Sequence, residues 1–136
     1  ILMSIENIKI VKIPEFIDKN GTLIKVESNI ETSFAIKRFF QIYASKGDIR
    51  GYHAHIKYFQ FMFCSQGKIK LVCDDGVNNK DFILDEPSKG IIVPPLIWCH
   101  QQYLDQKNIL TVLSDGEYNE NEYVRDYDEF LELIKK

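Results

Sequence analysis

The chain reads as an all-β protein, a sandwich or barrel finished by one short C-terminal helix. Three features of the sequence lead there. Short apolar runs recur at a spacing of roughly 8 to 12 residues, with Gly, Asn, Asp or Pro between them, the rhythm of a strand-rich domain. Those runs are crowded with β-branched and aromatic residues, as in Phe39-Phe40 and Tyr58-Phe59-Gln60-Phe61-Met62-Phe63. Only the tail, 119–136, has helical periodicity, with Tyr123, Tyr127, Phe130, Leu131 and Ile134 on one side.

Taken in order, Ile8, Ile10, Val11 and Ile13 make a first short strand, and 14–19 is a break. Asn20-Gly21 signals a turn into a second strand over 21–28, and 29–34 is polar and loop-like. A strand over 36–43 carries Arg38 among apolar neighbours, and 45–48 is a turn. The histidine strand follows, then 58–65, a Gln66-Gly67 turn, 68–74, the Asp74-Asp75-Gly76 turn and Phe82-Ile83-Leu84. Their short loops predict a hairpin meander. Gly90 to Val93 is another strand, which Pro94-Pro95 must take out of its ladder because proline has no N–H to give. Strands over 98–103 and 108–114 complete the set. The acids of the tail and its Lys135-Lys136 end suit a helix dipole.

Composition narrows the function classes. A chain of 136 residues with 45% hydrophobic and 27% charged residues predicts one domain, 1–136, with a core of its own. The formal net charge of −3 offers no basic field for nucleic acid, so an anionic ligand needs a local cation cluster. No apolar run reaches the ~18 residues of a membrane span, and no secretory pattern opens the chain, so the expected partners include neither nucleic acid nor membrane. Cys64, Cys73 and Cys99 are odd in number and lack metal-type spacing; they read as reduced thiols and point to the cytoplasm.

The chemistry concentrates in Gly47-Asp48-Ile49-Arg50-Gly51-Tyr52-His53-Ala54-His55. On a strand His53 and His55 share a face. Such a pair is a surface feature, a hydrogen-bonded core pair, or a working site, because unpartnered polar groups inside a barrel are costly. The spacing of Gly47, His53, His55, Gln60 and Gly67 fits the first cupin motif, with glutamine where a metal-binding cupin has glutamate. Glutamine is a poor transition-metal ligand, and His100 stands one place from where a later ligand is expected, so neither metal nor cofactor is predicted. Neutral imidazoles near pH 7 suit proton transfer at a carbon beside a carbonyl. Arg38, Lys46 and Arg50 form a candidate clamp for phosphate, and Tyr43, Tyr52, Tyr58 and Trp98 are candidates to stack on a base or sugar.

Four segments recur in one known order: Arg50-Gly51-Tyr52-His53-Ala54-His55; Asp74-Asp75-Gly76; Val93-Pro94-Pro95 with Trp98; and Tyr123-Val124-Arg125-Asp126-Tyr127 with Phe130. In this the chain resembles the dTDP-4-keto-6-deoxyglucose 3,4-ketoisomerases, small cupins of dTDP-sugar metabolism. The resemblance implies a jelly-roll cupin barrel that forms homodimers, and metal-free movement of a keto group from C4 to C3 through an enediolate. It also implies a 3-keto product for a PLP aminotransferase making 3-amino-3,6-dideoxy sugars of surface glycans such as lipopolysaccharide O-antigen. His53 and His55 would transfer the protons, with His55 favoured as the base. Arg38, Arg50, Lys46, Tyr43, Tyr52, Gln60, Trp98 and His100 would surround the substrate, and the region of Cys99 and His100 would bear on the product epimer. A sugar-nucleotide 3,5-epimerase and a non-catalytic nucleotide-sugar-binding cupin are the alternatives.

Overall fold

The computed structural model describes residues 3–135; Lys136, half of the basic helix end expected above, lies outside the described residues. Among the described residues twelve strands form: β1 (Lys9–Lys12), β2 (Glu15–Asp18), β3 (Gly21–Ile24), β4 (Arg38–Ser45), β5 (Ile49–His55), β6 (Gln60–Gln66), β7 (Ile69–Asp74), β8 (Asn79–Leu84), β9 (Lys89–Val93), β10 (Trp98–Tyr103), β11 (Lys107–Ser114) and β12 (Tyr123–Val124). They build two five-stranded antiparallel sheets, β1-β9-β6-β11-β4 and β12-β5-β10-β7-β8, and a separate β2-β3 hairpin. This is the cupin jelly roll.

The expected meander is not what forms. Only β2-β3 and β7-β8 pair with their sequence neighbours, while β4 to β5, β5 to β6 and β10 to β11 cross between sheets. Turn residues report that the chain reverses, not which edge it returns to, so short loops serve a sandwich as well as a hairpin. Two further segments differ from expectation. Residues 15–18, read as a break, form β2, whose turn is closed by the Asp18 carboxylate accepting from Asn20 N–H at 2.7 Å. The tail helix, α1, is confined to Tyr127–Ile134, because Tyr123-Val124 pairs instead with His55 and Ala54 of β5. Asp126 caps α1 by accepting from the amides of Asp128 and Glu129.

Alternation along the strands sorts side chains into three layers. Met62, Cys64, Leu71, Cys73, Ile91, Cys99, Tyr103, Leu110 and Val112 fill the space between the sheets. Phe61, Phe63, Ile92 and Leu113 point the other way and are covered by Ile13, Ile24, Val26 and Phe34 of the N-terminal segment. On the second sheet's outer side, Ala54, Trp98 and Val124 are covered by Phe130, Leu131 and Ile134 of α1. Burying Phe130 completely contributes about 1.5–3 kcal/mol, which is what seats so short a helix.

Candidate active site

One end of the barrel is left partly unfilled, as a cavity of about 400 Å³. Leu110 and Val112 of β11 with Phe40 and Ile42 of β4 make its apolar wall, and Arg50, His53, Gln60, Gln101, Tyr123 and Arg125 bring the polar groups. It leads to a recess of about 10 Å³ lined by His55, Tyr58, Pro94, Ile97 and Cys99. His53, Gln60, Met62 and Gln101 line both spaces and so form the throat between them.

A β-bulge puts Arg50 there. Strict alternation would send Arg50 and His53 to opposite faces, because they are three residues apart. The ladder with β10 slips between Cys99 and His100: His53 stands opposite Cys99, Gly51 opposite His100, and Arg50 opposite Gln101. Tyr52 is the extra residue, with φ of 59°, and Gly51 has φ of 102°. The slip carries Arg50 onto the inner face beside His53. Gly51 is required twice over, by that φ and because a Cβ would stand 2.9 Å from the Cα of His100.

The segment after β5 is pinned by backbone groups. The His55 carbonyl accepts from Leu96 N–H at 2.7 Å, and the buried Glu122 carboxylate accepts from the amides of Lys57 and Tyr58 at 2.9 and 3.1 Å. Asp115 accepts from Phe59 N–H at 2.9 Å. These contacts fix the step from His55 to Gln60, and with it the throat.

The histidine rings lie nearly perpendicular, with centroids 5.2 Å apart, and Tyr123 packs on both at 5.0 and 4.6 Å. Burial lowers the pKa of His55 to about 3, helped by His53, Arg38 and Arg125. Burial also lowers that of His53, with Arg125 and Arg38 adding to the effect and the Gly51 carbonyl and Glu120 opposing it. Both rings are therefore neutral near pH 7, with His55 the weaker base of the two. Both nitrogens of His55 and Nδ1 of His53 are buried without a hydrogen-bond partner, and His53 is the histidine that lines the cavity. Among the described residues no three His, Cys, Asp or Glu side chains converge as a metal site would require.

The cations divide. Arg50 and Arg125 line the cavity. Arg125 lies between β12 and α1, stacked 4.4 Å over the Tyr123 ring and gripped by Glu120 through Nε at 2.7 Å and Nη2 at 3.1 Å. That grip and the Tyr118 hydroxyl lower the pKa of Glu120 to about 2. Arg38 lies over Phe40 and Tyr118, with Nε and Nη2 buried and unpartnered.

A family model described as "FdtA: WxcM-like, C-terminal" matches residues 6–135. The chain belongs to that family. It is 34% identical over 129 residues, 94% of this chain and 93% of the relative, to a TDP-4-oxo-6-deoxy-α-D-glucose-3,4-oxoisomerase of Aneurinibacillus thermoaerophilus. A sugar 3,4-ketoisomerase of Thermoanaerobacterium thermosaccharolyticum, solved with TDP, superposes with a TM-score of 0.92 at 31% identity, covering 96% of each chain. A histidine-to-asparagine variant of that enzyme has been solved with TDP-4-keto-6-deoxyglucose, at 30% identity. A 3,4-ketoisomerase of Helicobacter canadensis gives 0.90 at 38% identity, over 94% of this chain and 97% of that one. The chain is accordingly an isomerase of the sugar 3,4-ketoisomerase type.

Besides Arg38, which lies over Phe40 and Tyr118, five residues expected around the substrate stand outside the cavity and its recess. Tyr43 is on the outer face of β4, 72% exposed, its hydroxyl donating to Gln41 at 3.2 Å. Lys46 is in the β4-β5 turn and lines a separate hollow with Asp48 and Gln102. Tyr52, the bulged residue, points outward and stacks on His100 at 4.6 Å; His100 is outward because Cys99 and Gln101 on either side point in. Trp98 packs under α1, edge-on to Tyr127 at 5.3 Å. Strand parity and the bulge account for each of these displacements except Lys46, which the turn keeps away. Conversely, Gln101, Tyr123, Arg125 and Glu120 escaped the sequence reading as site residues. Gln101 shares parity with Cys99, and Tyr123-Val124-Arg125 was assigned to a helix, so only its place in a recurring motif marked it.

Proposed function

We propose that this chain converts TDP-4-keto-6-deoxyglucose to a 3-keto-6-deoxyhexose in the barrel cavity, with His53 as the base. The observation that carries the reading is the position of His53 at the throat, where it faces both the roomy outer cavity and the recess of His55. The recess, at about 10 Å³, is too small for a hexose, so His55, the base favoured from sequence, is the deeper partner. A neutral His53 removes the proton from C3, and electrons pass onto O4 to give an enediolate. Return of a proton to C4 leaves the ketone at C3. Arg50 and Arg125 hold the diphosphate at the outer end, where a planar guanidinium matches phosphate oxygens.

The product is a reactive 3-keto sugar, and the reading includes its consumption by a PLP-dependent sugar aminotransferase. It also includes a homodimer. Phe16, Ile17 and Leu23 are exposed on the β2-β3 hairpin, Phe39 and Tyr43 are exposed on β4, and β4 is the edge of its sheet. An apolar hairpin and an open edge together are what a second copy covers. Light scattering at micromolar concentration checks this: a monomer mass would refute it. No helix among the described residues is long and apolar enough to cross a membrane.

The test of function is proton NMR in D2O with TDP-4-keto-6-deoxyglucose, with a 3-aminotransferase present to trap the product. Solvent deuterium at C4 of the trapped amino sugar is expected. Exchange at C5, or no reaction while TDP still binds, would overturn the reading.

A further inference from the structure

We propose that Gln60, with Gln101 beside it, is the group that holds the enediolate. The inference rests on the function proposed above and adds a catalytic residue to it. Both amides are sunk in the barrel, at 4% and 5% exposure, yet both face the throat together with His53. The Gln60 side chain lines the cavity on one side and the recess on the other. Gln101 uses Oε1 to accept from the Tyr103 hydroxyl at 3.4 Å, so that the hydroxyl occupies the oxygen end of its amide. Buried polar groups ordinarily turn toward partners inside the fold, so two amides turned instead to a space that the protein leaves unfilled, beside histidine nitrogens that have no partner, are placed to meet something that enters.

The reaction explains why the group is an amide. When the C3–H bond breaks and the proton passes to His53 Nε2, a C3–C4 double bond forms and the carbonyl pair moves to O4. That oxygen then needs a donor, while the neighbouring O3–H needs an acceptor. Gln60 offers both, Nε2–H toward O4 and Oε1 toward the O3 hydroxyl. In the second half the O3 proton passes to O4, the protonated His53, its N–H exchanged with solvent, protonates C4, and the electron pair closes the C3 carbonyl. Nothing is oxidised or reduced overall. A carboxylate at position 60 would repel the same intermediate, because it offers only acceptors near pH 7. With His53 and His55 both neutral, an uncharged donor also avoids fixing a cation that would lower their basicity further.

The test uses Gln60→Met and Gln60→Glu, with His53→Asn as reference. Loss of one oxyanion donor costs about 10²–10³ in kcat, so each Gln60 variant should lose at least about 100-fold, with KM and the TDP Kd within about threefold. Deuterium wash-in at C3 should fall in step with kcat. Gln60→Glu should recover rate as the pH is lowered, since the protonated carboxyl donates again, whereas Gln60→Met should not; a purely structural role gives no such profile. A Gln60→Met protein that binds TDP and keeps kcat within threefold of the parent overturns the inference. Should Gln60→Met fail to bind TDP, Gln101→Met takes its place, with a loss of at least about tenfold in kcat expected and a kcat within threefold of the parent overturning the inference. His53→Asn separates the levels. If it is inactive while Gln60→Met is not, only the amide proposal fails; if it turns over normally, the reading of the cavity fails.

Discussion

Three histidines sit on two neighbouring strands of this protein, and the two faces of those strands treat them differently. His53 and His55 face inward, packed on one another and on Tyr123, and largely deprived of hydrogen-bond partners. His100 faces outward, stacked on Tyr52, with a Gln102 amide 3.2 Å from its Nε2. Burial lowers the pKa of all three, but furthest for His55, to about 3. The same ring is thus a shielded, neutral proton acceptor on one face and an ordinary surface packing group on the other. The lesson is that parity along the strand, interrupted once by the bulge at Gly51-Tyr52, decides which histidines can meet a ligand.

The comparison breaks most sharply on activity. His53→Asn should lower kcat by about 10³, within the usual range for a general base, while the melting temperature moves little. His100→Asn, assayed beside it, should keep kcat within twofold. Loss of activity in His100→Asn alone would invert the inner and outer faces.

The next effect is on affinity. Arg50→Ala should weaken TDP binding by about 1.5–3 kcal/mol by calorimetry, the value of a hydrogen bond to a charged group. Lys46→Ala, four residues away but outside the cavity, should leave the Kd within twofold. Arg125→Ala should cost less than Arg50→Ala, because Glu120 already occupies the guanidinium and a phosphate must displace it.

Gly51→Ala tests the bulge itself. A methyl group at φ of 102°, 2.9 Å from the Cα of His100, should destabilise the fold by about 1–3 kcal/mol in urea unfolding. Turnover should fall as well, since Arg50 and His53 then lose their common face.

A smaller effect, spread over pH, sharpens the contrast between buried and exposed rings. In the unfolded chain an imidazole takes its proton near pH 6.5, whereas folded His55 does so only near 3. Between these values the unfolded state binds more protons, so stability is full above 6.5 and declines as pH falls below it. The slope from this one site is up to about 1.4 kcal/mol per pH unit. Urea midpoints at pH 7.0, 6.0 and 5.0 should show that decline, and His55→Asn should flatten it. His100→Asn should leave the slope nearly unchanged, the smallest effect in the set.

Much of this was legible in the residues. The paired histidines and Gln60 in place of glutamate were legible because period-two parity can be counted along any strand, and they line the cavity (His53, Gln60) and its recess (His55). Arg50 could be read only as a neighbour of the pair, since it reaches the cavity through the bulge and against that parity. Tyr43 and Trp98 were misplaced because an aromatic on a strand looks the same whichever face it serves. Tyr123 and Arg125 were missed because two residues of strand before a helix carry too little periodicity to be separated from it. The crossing of strands between sheets was also invisible, since loop length does not encode which edge receives the returning chain.

By itself the sequence determined the fold class, the positions of nearly all strands, the histidine pair and its company of arginines. Hydrophobic period, proline and glycine act locally, and local rules can be read from neighbours along the chain. Tertiary structure alone decided the throat: which of His53 and His55 meets the larger space, that Arg50 joins them across a slipped register, and that Gln60 and Gln101 converge from β6 and β10. Those facts depend on strands from both sheets facing one another across the barrel, and on one extra residue in a ladder. Neither is a property of any single stretch of sequence.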